Sequence, residues 1–114
     1  MQEDNVAIKA FQTLDVRVGT IKNAEPLEGA RVPAYKVVVD FGAEVGTRQS
    51  SAQITKHYAA QDLIGTQVLG VLGLPPKRIA GFSSEVLILG LPDENGDVVL
   101  IRPDQPVPDG GRLY

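Results

Sequence analysis

The sequence predicts an all-β protein: a small five-stranded Greek-key barrel with a short N-terminal helix and an extended C-terminal tail. Runs of apolar and β-branched residues recur along the chain, separated by turns rich in Gly, Pro and Asn. A single helical excursion interrupts these runs, between the third and the fourth. With 114 residues, 43% of them hydrophobic, the chain is predicted to form one domain over residues 1–114. From the pattern alone, an open β-sandwich is the alternative architecture.

A short amphipathic helix is predicted over residues 1–14. Asp4 can cap it, and a set of apolar side chains then recurs at helical spacing. These side chains are Val6, Ala7, Ala10, Phe11 and Leu14. A helix this short is weak by itself, so we expect it to lie against another apolar surface.

The predicted barrel spans residues 15–102. Its first strand covers residues 16–21, where Gly19 predicts a bulge or a tight bend. The second strand covers residues 34–41 and has one apolar face. That face consists of Tyr35, Val37, Val39 and Phe41. A hairpin turn bounded by glycines leads to the third strand, which begins at Thr47.

The rest of the barrel follows a helical or irregular segment at residues 54–64, which Gly65 is expected to end. Further strands are predicted over residues 66–72, 85–91 and 98–101. The last two are joined by the hairpin signal at residues 93–97, and the proline-rich tail covers residues 103–114. This order of strands, with the helical segment between the third and the fourth, is typical of the oligonucleotide/oligosaccharide-binding fold (OB-fold).

The composition favours a binding protein over an enzyme. The chain has no cysteine, a single histidine (His57) and no glycine-rich phosphate loop, so we expect no catalytic site, no metal and no cofactor. A net charge of −3 opposes a sequence-independent grip on nucleic acid. Residues 17–78 nevertheless carry eight Lys/Arg against five Asp/Glu, which concentrates positive charge there.

No apolar run reaches the length of a membrane span, and the first residues lack the apolar core of a signal peptide. We therefore expect a cytoplasmic protein that does not insert into membranes.

Residues 75–85 form the segment on which the functional prediction is built. Two prolines fix the backbone in front of two cations, Lys77 and Arg78. Gly81 then lets the chain reverse. A basic loop mounted on a buried strand is a common design for a binding site.

The fifth strand is apolar on both faces. One face carries Val86 and Ile88, and the other carries Leu87, Leu89 and Leu91. A small barrel has one face in water, so one of these sets needs a further cover. We expect the N-terminal helix to supply part of it and a second subunit the rest, which predicts a homodimer.

The segment from Phe11 to Ile21 contains Asp-Val-Arg-Val-Gly and resembles the opening signature of the tRNA-binding-domain family, which includes the C-terminal appendage of some methionyl-tRNA synthetases. Further segments resemble the CsaA-type branch of that family, the export-related chaperones. They are residues 30–34, 48–56, 75–82, 84–87 and 103–108.

This resemblance implies an OB-fold and a cytoplasmic homodimer. The function it implies is binding of unfolded or precursor polypeptides linked to protein export, which would be independent of ATP. It also implies tRNA as a further partner, and tRNA binding through the barrel surface is the alternative function. A purely structural oligomerisation module is the third possibility.

Two sets of candidate residues follow. The RNA-binding set combines cations for phosphates with polar side chains for base edges: Arg48, Gln49, Ser50, Lys77, Arg78, Ser84 and Glu85. The set proposed for the dimer or peptide surface is apolar: Phe11, Leu14, Phe82, Leu87, Leu89 and Leu91.

Overall fold

A computed structural model describes residues 5–114 of the chain, and the predicted helix cap Asp4 lies outside them. The helices are α1 (Val6–Thr13), α2 (Gly42–Val45) and α3 (Ala60–Leu63). The strands are β1 (Asp15–Pro26), β2 (Tyr35–Asp40), β3 (Thr47–Ala52), β4 (Gln67–Leu72), β5 (Lys77–Ile79), β6 (Phe82–Ser84), β7 (Leu87–Ile88), β8 (Gly90–Pro92) and β9 (Val98–Leu100). No helix among the described residues has the length and apolar character needed to cross a membrane.

Five strands form one curled antiparallel sheet in the order β3-β2-β1-β4-β7. The central strand β1 pairs with β2 on one side and with β4 on the other. The predicted OB-type all-β fold is confirmed. The inner face of β2 is also confirmed, because Val37, Val39 and the adjoining Phe41 are fully buried and Tyr35 packs at the edge of the core.

The irregularity in β1 lies at a different place from the one predicted. The pairing register of β1 with β2 shifts between Ile21 and Asn23, and Gly19 is not the bulge. At Gly19 a Cβ atom would lie only 2.8 Å from a ring carbon of Phe41. The glycine is therefore explained by close packing against the core, where any side chain would overlap.

The predicted fifth strand, residues 85–91, is divided into two strands. β7 pairs with β4, whereas β8 pairs with β9 in a separate two-stranded sheet. The division falls at Leu89, whose N–H donates to the Leu69 carbonyl (2.9 Å) and whose carbonyl accepts from the Ile101 N–H (3.2 Å). The prediction of one continuous strand was wrong because the chain changes partners at this residue.

Residues 75–85 were predicted as a loop, but they contain the hairpin of β5 and β6, so this prediction was wrong. Lys77 pairs with Ser84 in this hairpin. Ala80 and Gly81 form its turn with φ angles of 52° and 77°, which suit a two-residue turn with positive φ at both central positions. The reversal predicted at Gly81 is confirmed.

Helix α1 begins after Asn5, whose side-chain oxygen accepts from the Ile8 N–H (3.1 Å). Every residue of α1 is exposed. The helix therefore does not cover the fifth strand, contrary to our expectation, and its apolar side chains stay available to a further partner.

The C-terminal tail is extended, as predicted, and it lies along β1. The Val18 N–H donates to the Gly111 carbonyl (3.0 Å), and the Val18 carbonyl accepts from the Gly110 N–H (2.8 Å). The Leu113 N–H donates to the Val16 carbonyl (2.8 Å). These bonds hold the end of the tail close to α1, which precedes β1 in the chain.

Candidate binding surface

Strand β3 meets the chain just after β6, and reciprocal hydrogen bonds join them. The Glu85 N–H donates to the Gln49 carbonyl (2.8 Å), while the Gln49 N–H donates to Glu85 Oε1 (3.1 Å). The Ser51 N–H donates to Ser84 Oγ (3.0 Å). Side chains thus satisfy the edge of β3 where a regular ladder would otherwise continue.

A cleft of about 400 Å³, here called the apolar cleft, opens beside this closure. Its apolar lining includes Ile54, Leu74, Ile79, Leu87, Ile88 and Val98. Its polar lining consists of Ser51, Gln53, Lys77, Ser84 and Glu85. The Leu87 side chain is 54% exposed, so a ligand could bury it. Predominantly apolar clefts with a few polar groups are the usual form of a ligand site.

A second cleft of about 340 Å³, here called the basic cleft, adjoins the first. Three of its lining residues are the cations Arg31, Lys77 and Arg78, and no Asp or Glu of the described residues lines it. Within residues 5–114 none of these cations forms an ion pair with a carboxylate. Arg78 Nη2 donates to the Gly81 carbonyl (3.0 Å), which holds the guanidinium beside the turn. The arrangement suits an anionic ligand.

Arg31 was missed as a site residue by the sequence reasoning. It lies in the β1–β2 loop, which approaches the β5–β6 turn so closely that a Cβ atom on Gly29 would be 3.7 Å from Ala80 Cβ. Its charge and its place in the motif at residues 30–34 were the available signals. Only the meeting of two loops distant in sequence brings it to Lys77.

The two clefts share a wall. Ser51 and Gln53 from the β3 side line both, and so do Lys77 and Ile79 of β5. Lys77 and Ile79 are alternate residues of one strand, so they lie on the same face of it. The surface is therefore continuous, with apolar character at one end and positive charge at the other.

The structure brings together most of the predicted RNA-binding residues. Ser84 and Glu85 line the apolar cleft with Lys77 and form its polar rim. Gln49 is joined to this rim through Nε2, which donates to the Ser83 carbonyl (2.9 Å). A direct role of these residues in RNA binding stays a prediction.

Two members of that set lie elsewhere. Ser50 is 1% exposed, and its hydroxyl donates to the Val86 carbonyl (2.7 Å), so it contributes to barrel closure and offers no surface to RNA. Arg48 lines neither cleft. Its Nη1 donates to the Val45 and Thr47 carbonyls (2.7 and 3.0 Å) beside α2.

The predicted apolar set is also divided. Leu87 lines the apolar cleft, whereas Phe82 and Leu89 line neither cleft. The Phe82 ring lies beneath Lys36, with Nζ 5.7 Å from the ring centroid. Leu91 is 60% exposed on β8 and lines neither cleft.

The remaining two members, Phe11 and Leu14, belong to α1 and its C-terminal cap. Part of this helix forms an open apolar surface with the end of the tail, here called the terminal platform: Ala7, Ile8, Phe11, Gln12, Arg112, Leu113 and Tyr114. Arg112 Nη2 donates to the Gln12 and Leu14 carbonyls (2.7 and 2.8 Å). This side chain caps the last turn of α1 and ties the helix to the tail.

Comparison with known proteins identifies the family. The model described as "Putative tRNA binding domain" matches residues 16–112. The chain belongs to the tRNA-binding-domain family. Within it the chain is of the CsaA type, because it is 50% identical to the crystal structure of the chaperone CsaA from Bacillus anthracis str. Ames, with a TM-score of 0.88 over 99% of this chain and 100% of that one.

Further relatives include a second CsaA chaperone and methionine–tRNA ligases. The crystal structure of the CsaA chaperone protein from Picrophilus torridus is 41% identical, with a TM-score of 0.87 over 94% of this chain and 97% of that one. A methionine–tRNA ligase from Methanothrix thermoacetophila is 41% identical over 100 residues, which cover 88% of this chain and 14% of the ligase. The chain thus spans only a small part of the ligases it matches.

The arginine in the family signature has a structural role here. Arg17 Nε donates to Asp15 Oδ1 (2.8 Å), and Nη1 donates to Glu44 Oε1 (3.0 Å). These hydrogen bonds, first that to Asp15 and then that to Glu44, raise the pKa of Arg17 above its ordinary value. Because Glu44 belongs to α2, its ion pair with Arg17 joins β1 to α2.

One group of side chains in this family member has the chemistry of metal ligands. His57, Asp93 and Asp97 offer ligand atoms within 4.8 Å of one another. Both oxygens of Asp93 already have partners, since Oδ1 accepts from the Asn95 and Asp97 N–H groups (2.8 and 2.9 Å) and Oδ2 lies 2.7 Å from His57 Nε2. The cluster is explained by the hydrogen bonding of the β8–β9 turn.

Proposed function

We propose that this protein binds unfolded or precursor polypeptides without ATP and without catalysis, in the service of protein export. The observation that carries the proposal is the apolar cleft, with exposed Leu87 beside polar rim residues. Unfolded chains expose apolar side chains that gain free energy when they leave water. An extended segment could place such a side chain in the cleft and bond its backbone to the rim. The likeness to two CsaA chaperone structures supports the same function.

A matched pair of leucines tests this proposal. Leu87 lines the cleft and Leu91 does not, yet the two side chains have similar exposed fractions, 54% and 60%. Full burial of a leucine contributes about 1.5–3 kcal/mol, and about half of the Leu87 surface remains to be buried. Leu87→Ser should therefore weaken binding of a leucine-rich unfolded peptide by roughly four- to tenfold. Leu91→Ser should change it little. Fluorescence anisotropy of a labelled peptide measures both, and equal losses would contradict the assignment of the cleft.

We propose tRNA binding as the second candidate function, on the strength of the basic cleft. Arg31, Lys77 and Arg78 would contact phosphates, and the polar rim would contact bases. The family itself supports this function. The net charge of −3 opposes it, but in a dimer the basic cleft would be present twice.

The salt dependence of binding tests the basic cleft. Lys77→Ala with Arg78→Ala should weaken tRNA binding uniformly across sequences, because cations that bind phosphates carry no sequence information. The slope of log affinity against log salt should fall by about 0.7 for each phosphate of a single strand that the variant no longer neutralises. Lys22→Ala, at an exposed cation that lines neither cleft, is the control. An unchanged slope in the double variant would refute the cleft as the RNA site.

We propose that two copies assemble through the terminal platform. Its apolar residues are exposed, and Arg112 fixes α1 against the tail, so the surface is already ordered before association. A specific interface should bury about 1,000 Å² or more. We also propose that the protein is cytoplasmic, as expected from the sequence.

A further inference from the structure

The apolar and basic clefts are bounded by the same wall of residues. Lys77 and Ile79 on β5 line the two clefts together with Ser51 and Gln53. Arg31 belongs to the basic cleft alone. Leu87, by contrast, belongs to the apolar cleft alone.

The proposed ligands, a polypeptide and an RNA strand, are long chains, so each can extend from its own cleft over the shared wall. An extended polypeptide advances about 3.3 Å per residue, so a segment that is seated beside Leu87 and runs along the cleft would cross β5 within a few residues. A phosphodiester strand that reaches Arg31, Lys77 and Arg78 covers the same strand from the other cleft. Both chains therefore require the exposed faces of Lys77 and Ile79.

The positive charge of Lys77 also favours binding of an RNA strand at the shared wall. Within residues 5–114 no carboxylate lies in ion-pair contact with its ammonium group, so the side chain is available to a phosphate. Its long flexible stem can turn toward either cleft. When that phosphate belongs to a longer strand, the contact holds the neighbouring nucleotides over the shared wall, where a polypeptide would lie.

We propose that RNA is a negative effector of polypeptide binding: a phosphodiester strand in the basic cleft excludes an extended polypeptide from the apolar cleft. This inference rests on both functions proposed above and adds the relation between them. Because coupling between two ligands is reciprocal, bound polypeptide lowers the affinity for RNA by the same factor. RNA would then release a polypeptide without any need for ATP.

A competition titration with the full chain tests the inference. A fluorescein-labelled, uncharged peptide rich in leucine is bound first, and unlabelled tRNA is then added. Simple exclusion predicts that the apparent Kd of the peptide rises linearly with the concentration of free tRNA. The rise is roughly tenfold when free tRNA reaches about nine times its own Kd. Inorganic phosphate at matched ionic strength should not displace the peptide, since a single small anion does not extend over β5.

Variants separate exclusion at the shared wall from an unspecific effect. Arg31→Ala with Arg78→Ala should require more tRNA for the same displacement, in proportion to its directly measured decrease in tRNA affinity. Lys22→Ala, outside both clefts, should behave as the unmodified protein does. A complex that holds one peptide and one tRNA for every subunit, or a peptide Kd that stays constant at saturating tRNA, would overturn the inference while leaving both proposed functions intact. Failure of either ligand to bind separately would remove the corresponding function, and the inference with it.

Discussion

Glu85 and Gln49 form a reciprocal pair that closes the barrel. The Glu85 backbone N–H donates to the Gln49 carbonyl, and the Glu85 carboxylate accepts from the Gln49 N–H. One residue thereby satisfies both main-chain groups of a strand edge that would otherwise be open. Because Glu85 also lines the apolar cleft, the stability of the closure and the shape of the binding surface depend on the same side chain.

Removal of that carboxylate should destabilise the fold. Glu85→Ala leaves the Gln49 N–H without its protein partner, and we expect the free energy of unfolding to fall by about 1 kcal/mol. Glu85→Gln keeps an acceptor oxygen in place and should restore most of the loss. Urea denaturation measures both variants. A Glu85→Gln variant as unstable as Glu85→Ala would show that the hydrogen bond is not the cause.

Phe11→Asp should separate assembly from folding. Phe11 is 42% exposed on α1, so the charge would not be buried in the single subunit and the fold should survive. Across a dimer interface the same carboxylate would be buried without a partner, which costs several kcal/mol. Sedimentation at micromolar concentration should show a homodimer for the unmodified chain and a monomer for Phe11→Asp.

The control for that experiment adds the same charge elsewhere. Gln61→Asp places it at an exposed position of α3 that is not part of the terminal platform, and should leave the dimer unchanged. A purely monomeric unmodified protein would end the proposal of a homodimer. A dimer that persists in Phe11→Asp would move the interface to another surface.

The β8–β9 turn should lose stability in acid. The N–H of Asp97 and then the hydrogen bond to His57 lower the pKa of Asp93 below its ordinary value of 3.8. A lowered folded-state pKa means that the unfolded chain takes up its proton first as the pH falls. The contribution of Asp93 is therefore complete above pH 3.8 and is lost as the pH falls from there through the folded-state pKa.

Denaturation at a series of pH values measures this loss. Asp93→Asn should have a shallower fall in the free energy of unfolding over that acid range, because it has no carboxyl group at this position to titrate. If the free energy of unfolding falls equally steeply in acid for both proteins, this pH dependence does not come from Asp93.

Chelation should leave the protein unchanged. A metal bound only to the folded state would add stability by mass action, and we expect no metal, so EDTA should not alter the Tm. His57, Asp93 and Asp97 provide a sharp alternative. A fall in Tm on addition of EDTA that disappears in His57→Ala would place a metal ion at that cluster.

The alternation of residues along single strands predicted an all-β protein, and the order of the strands around one helical segment predicted the OB-fold. Val37, Val39 and Phe41 occupy one side of a strand because side chains alternate with a period of two, and this holds wherever one face is buried. The same local logic predicted the turns at Gly81 and at residues 93–97, where the backbone requires particular residues.

That reasoning fails where the hydrogen-bonding partner of a residue is decided by a distant part of the chain. The break at Leu89 depends on hydrogen bonds to Leu69 and Ile101, which belong to distant parts of the chain. The burial of Ser50 depends on Val86 closing over it. Neither residue carries a local signal of these interactions, because the groups that bind it are not its neighbours in the sequence.

The candidate site shows the same division. Lys77 and Arg78 stood out because two prolines precede two cations, which is a local pattern. Arg31 joins them only because the β1–β2 loop reaches the β5–β6 turn, and Arg48 departs from them because carbonyls beside α2 bind its guanidinium. Periodicity and turn chemistry act over a few residues and can be predicted from sequence. The grouping of charges on a surface is set by packing between segments far apart in the chain, so only the tertiary structure decides it.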